Sequence, residues 1–65
     1  MKRYYFNLID DGYEDLGAMI PDGSNKQVAI NRAKRWMKEN GIKQAQLEVN
    51  SIITDNLLDV IELDL

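Results

Sequence analysis

The sequence predicts an α+β fold of ββαββ order, a four-stranded, mainly antiparallel sheet with one helix packed on one face. Three observations carry the prediction. Residues 3–20 alternate apolar and polar side chains around an Asp11-Gly12 pair, residues 25–40 repeat apolar side chains at helical spacing, and residues 45–65 return to alternation around a second turn. At 65 residues, the chain 1–65 is one domain, because two would each fall below the roughly 40 residues needed to fold unaided.

The first strand is expected over residues 3–9. Tyr4, Phe6 and Leu8 share its stronger apolar face, and Tyr5 and Ile9 share the weaker one. Asp11-Gly12 is a favoured pair for a two-residue hairpin turn. A second strand over 13–20 returns through Leu16, Ala18 and Ile20, with Gly17 weakening it or marking a bulge. Pro21-Asp22-Gly23 breaks the pattern. Ser24, followed three residues later by Gln27, fits a capping box. The helix then runs over 25–40 with Ala29, Ile30, Ala33, Trp36 and Met37 in one stripe, and stops at Asn40-Gly41.

A third strand is expected over 45–53, with Ala45, Leu47 and Val49 on one face, followed by a turn at Thr54-Asp55-Asn56. The fourth covers 57–65. Ile61, Leu63 and Leu65 share a phase while Leu58 and Val60 lie in the other, a slip that implies a bulge near Asp59 or burial on both faces. A helix is the competing reading there, since Leu57, Leu58, Ile61 and Leu65 also fit a 3.6-residue period. The strand is preferred because nine residues without a stop signal make a weak helix.

Composition removes many functions. The chain has no cysteine and no histidine, which excludes disulfides, thiolate zinc and imidazole catalysis. The glycines sit at turns, bulges or caps, so no phosphate-cradling loop exists. Net charge is −3, spread unevenly. Residues 26–43 carry six cations against Glu39, a net +5, and the rest carries ten carboxylates against Lys2 and Arg3, a net −8. The apolar run after the basic start is too short for a secretion signal or a membrane span, so a cytoplasmic location with no membrane partner is expected.

Four clusters invite a functional reading. The acidic turn Asp10, Asp11, Glu14 and Asp15 offers oxygen ligands for a hard cation, yet its spacing is not that of a calcium loop. A solvated turn accounts for it, and no metal or cofactor is expected. Lys34, Arg35 and Lys38, with Arg32 at the edge, form a basic helix face, the candidate contact with nucleic acid, although any surface helix places charge opposite its apolar stripe. Tyr4, Phe6 and Trp36 read as core. A single helix covers one sheet face, so Tyr5, Ile9, Met19, Ile52 and Val60 are the candidate protein interface on the other.

Arg3-Tyr4-Tyr5-Phe6-Asn7-Leu8, followed by Asp10 and Gly12, Pro21-Asp22-Gly23, an Ala-bearing helix and Leu47-Glu48-Val49 before a Leu-rich strand, resembles a small, functionally uncharacterised bacterial family that opens with an Arg-Tyr-Tyr-Phe strand. That resemblance implies a ββαββ domain and no known activity. Met1-Lys2, Asp11-Gly12-Tyr13 and Ala29-x-x-x-Ala33 are also similar to the N-terminal domain of HicB-type antitoxins. The Phe-Pro-Asp-Leu-Pro-Gly-Cys segment of those proteins has no counterpart here.

The expected function is a non-enzymatic protein-interaction domain, self-associating as a homo-oligomer or serving as an accessory subunit. The alternatives are a nucleic-acid-associated regulator using the helix, or an antitoxin-like inhibitor of a basic protein.

Overall fold

Alternation of aromatic and aliphatic residues draws Tyr4–Ile9 into strand β1 of the computed structural model, which describes residues 1–65. Lys26–Glu39 form helix α1, Gln44–Ser51 form strand β2, and Leu57–Asp64 form strand β3. The sheet is antiparallel throughout, in the order β1-β2-β3. It has three strands. The expected four-stranded ββαββ sheet is therefore corrected to a three-stranded sheet in βαββ order.

The missing strand is the one expected over 13–20. Its apolar alternation is real: Ile20 is buried, and Leu16 and Ala18 pack against the core. A ladder nevertheless does not form, because the backbone leaves the extended region at two places. Tyr13 has φ 62° and Gly17 φ 76°, both left-handed. Side chains also take amides that a ladder would use. Asp10 accepts from the Gly12 and Glu14 N–H at 2.8 and 3.0 Å, and Asp15 accepts from the Gly17 N–H at 2.7 Å. Residues 10–25 thus run beside β1 as an irregular connection touching it at two isolated bridges, Ile9 with Asp15 and Tyr4 with Gly23.

The helix begins one residue later than Ser24 implies. Asn25 is the cap, its side-chain oxygen accepting from the Gln27 and Val28 N–H. Gln27 reaches forward to Asn31 at 3.0 Å, so the reciprocal capping box is absent. At the other end Gly41 has φ 69°, and the Gly41 and Ile42 N–H groups donate to the Lys38 and Met37 carbonyls. That is a Schellman stop, and it matches the expected Asn40-Gly41 terminus.

Ala29, Ala33 and Met37 bring α1 onto β2, the central strand. The small alanines allow close approach. Phe6, Leu8, Ala45, Leu47, Val49 and Leu63 meet them from the sheet, and Ile20 meets them from the connection. β2 ends at Ser51, short of the expected 53. The Ser51 hydroxyl accepts from the Ile53 and Thr54 N–H, and Asp55 adopts φ 60°, so the chain turns at Ile52. The segment 57–65 is strand rather than helix, and its phase slip is a bulge. Val49 pairs with Asp59 but Asn50 pairs with Leu57, leaving Leu58 without a partner.

Candidate interaction surface

The two edges of the sheet are built differently. The β1 edge is closed by the chain itself. Tyr4 and Gly23 exchange both backbone hydrogen bonds, at 2.8 and 3.0 Å, the Leu16 N–H donates to the Leu8 carbonyl, and the Asp10 N–H donates to the Glu14 carbonyl. The β3 edge pairs with β2 on one side and has no strand or bridge on the other. Because the Leu65 N–H turns inward to the Lys43 carbonyl, the two-residue alternation sends the backbone groups of Val60, Glu62 and Asp64 outward, where the Val60 N–H donates to the Asp59 carboxylate at 2.8 Å.

The aliphatic residues near that edge are exposed. Leu57, Leu58 and Val60 keep 52%, 53% and 41% of their surface in water, and Ile53 in the adjoining turn keeps 83%. Residues 44–65 also carry Glu48, Asp55, Asp59, Glu62 and Asp64 with no Lys or Arg at all. The free edge is therefore aliphatic and uniformly acidic.

Of the five residues expected at a protein interface, the fold brings two to this hairpin: Val60 on β3 and Ile52 in the turn, both exposed. Tyr5 reaches the hairpin indirectly. Its hydroxyl donates to the Asp55 carboxylate, tying β1 to the β2–β3 turn. This hydrogen bond, with partial burial and the negative charges of Asp55 and Glu48, raises the Tyr5 phenol above its ordinary value near 10. Beside it, the buried Asn50 amide donates to the Tyr5 carbonyl at 3.5 Å. Ile9 is buried at the end of β1, and Met19 is exposed on the 10–25 connection, at the opposite side of the sheet from β3.

The second sheet face is more polar than expected. Asn7, Gln46, Glu48 and Glu62 occupy it between Tyr5, Ile9 and Val60. Leu57, Leu58 and Ile53 were missed by sequence reasoning. The phase slip at 57–60 was their signal, since side chains that fit neither face of a strand collect where nothing covers them.

Arg32, Lys34, Arg35 and Lys38 are all exposed on α1; Arg35 and Lys38 lie on the side away from Ala29, Ala33 and Met37, while Arg32 and Lys34 flank that stripe on its two edges. Lys26 lies instead over the Tyr4 ring, 5.4 Å from its centroid, a cation–π contact. In the acidic turn, the Asp10 and Asp15 carboxylates serve backbone amides, and no three Asp or Glu side chains converge on a common point. The best-enclosed depression, at the start of α1 beside Phe6 and Arg32, holds about 160 Å³. No helix is long and apolar enough to cross a membrane.

No protein family, curated protein or solved structure matches the chain.

Proposed function

We propose that this chain is a non-enzymatic protein-interaction domain whose working surface is the β3 edge and the turn that leads into it. The carrying observation is the asymmetry of the edges. The chain spends residues 10–25 padding β1, yet leaves β3 unpaired with Leu57, Leu58 and Val60 in water. An exposed edge strand is a template for strand addition, and since the bulge at Leu58 interrupts the start of β3, Val60–Asp64 is the stretch that a partner strand can pair with. The absence of His and Cys and of any converging carboxylate cluster supports a non-catalytic role.

The test compares the native chain with Val60→Pro. Proline removes the outward N–H at the middle of the edge, with its bond to the Asp59 carboxylate, while the inward pairing of Ile61 and Leu63 is kept. Both tagged chains are incubated with nuclease-treated host lysate and analysed by mass spectrometry. A stoichiometric protein held by the native chain and lost by the variant is the expected result. Equal capture by both chains would remove the edge from the interaction.

Nucleic-acid binding through Arg32, Lys34, Arg35 and Lys38 is the second reading, favoured by the joint exposure of these four cations on one helix. It requires binding that falls steeply with salt and is lost when Lys34, Arg35 and Lys38 are changed to Glu.

A further inference from the structure

We propose that the strand completing the β3 edge is an extended, basic segment of another protein, with cations alternating with aliphatic residues. This rests on the edge being the interaction surface and names what occupies it. Strand addition supplies backbone hydrogen bonds that any sequence can make, so the choice of partner falls to side chains beside the edge. Here those side chains carry one sign. Val60, Glu62 and Asp64 follow one another on the open face of β3, and Asp59 stands exposed on the helix-bearing face. No Lys or Arg occurs anywhere in 44–65 to offset them.

A second copy of the chain is a poor occupant. It would lay three carboxylates of one β3 along three of another, and like charges close together on paired strands are unfavourable. The acidic side chains thereby guard the edge against its own kind. A strand that shows an aliphatic residue beside Val60 and cations beside Glu62 and Asp64 is attracted by the same groups, so one charge pattern both rejects and selects. Attraction from several partly exposed carboxylates also speeds encounter and weakens with salt.

The test uses three capped peptides of the length of β3, eight residues: a Lys-Val repeat, a Glu-Val repeat, and the Lys-Val repeat N-methylated at alternate amides along one edge. Each is titrated into the isotopically labelled full chain and followed by amide NMR shifts and hydrogen exchange. The Lys-Val peptide should move and protect the Glu62 and Asp64 amides, shift the Val60 amide as it leaves the Asp59 carboxylate, and bind at least ~10-fold more tightly than the Glu-Val peptide. N-methylation, which keeps charge but blocks pairing, should lose ~10-fold or more. The exposed double variant Glu62→Gln with Asp64→Asn should weaken Lys-Val binding without disturbing the remaining amide spectrum.

Equal binding of the N-methylated peptide would reduce the site to charge alone and overturn strand addition. Light scattering that shows a dimer with protected β3 amides before any peptide is added would hand the edge to a second copy. If the Gln/Asn variant retains a Val60-dependent partner from lysate undiminished, the interaction surface stands and its basic partner falls. If Val60→Pro loses nothing, both fall.

Discussion

The two edges of this small sheet solve one problem in opposite ways. At β1, a connection of irregular backbone supplies hydrogen bonds at Tyr4, Leu8 and Asp10, and its Leu16, Ala18 and Ile20 add to the core. At β3, the outward backbone groups meet no other strand, only the Val60 N–H being held, by the Asp59 carboxylate of β3 itself, and the residues around them are half in water. The difference teaches where the fold keeps its stability and where it keeps its freedom. A chain of this size holds ~3–5 kcal/mol in total, and of the ten residues of the buried core only Leu63 belongs to β3.

Truncating one residue on each side gives the sharpest contrast. Leu8 is fully buried, and Leu8→Ala should cost about 2–5 kcal/mol, a large share of the stability of so small a chain. Val60→Ala should cost under about 1 kcal/mol, because 41% of that side chain is already in water. Urea denaturation followed by Trp36 fluorescence reads both. Equal losses would mean that the β3 edge belongs to the core.

A smaller effect tests the padding. Gly17 holds φ 76° with open space around its missing side chain, so Gly17→Ala should cost about 1–2 kcal/mol from backbone strain alone. The loss should appear first as faster hydrogen exchange in β1 rather than in β3. Uniform acceleration would show that the connection does not close the β1 edge independently of the rest of the fold.

The smallest effect concerns the tie between the two sides. Tyr5 has a folded-state pKa raised by Asp55, so the unfolded chain releases the phenolic proton first as pH climbs past 10. The stabilisation from this contact is therefore complete below pH 10 and is lost as pH rises through the higher folded value. Tyr5→Phe should remove that part of the alkaline loss. A difference absorbance titration of native chain against variant should place the Tyr5 ionisation above 10, and ionisation at or below 10 would mean that the Tyr5–Asp55 contact does not form in solution.

Much of the fold was legible because burial leaves a periodic trace. The stripe of Ala29, Ala33 and Met37, the Gly41 stop, and the alternation in β1 and β2 all survive in the structure. Pattern also located Leu16, Ala18 and Ile20 correctly as inward-facing, yet implied a strand that is not there. Alternation reports which way side chains point and is silent on whether the amides between them find a ladder. The short-range competition from Asp10 and Asp15 decided that, and it leaves only a faint signature in composition.

The candidate surface was less legible. Val60 and Ile52 were identified as exposed, whereas Leu57, Leu58 and Ile53 were not, and Ile9 was placed in water although it is buried. An edge strand and a central strand can have the same sequence pattern, because what distinguishes them is a neighbour contributed from far along the chain.

By itself, the sequence determined the class of the fold, the helix and its stop, the core stripe, the uneven charge, and the absence of His and Cys. Each of these depends on residue identity or on spacing within one element. Only the tertiary structure decided the number of strands, the order that places β2 at the centre, and which edge stays open. Those depend on hydrogen bonds between residues distant in sequence, such as Tyr4 with Gly23 and Tyr5 with Asp55, and such partners are chosen by the geometry of the whole chain.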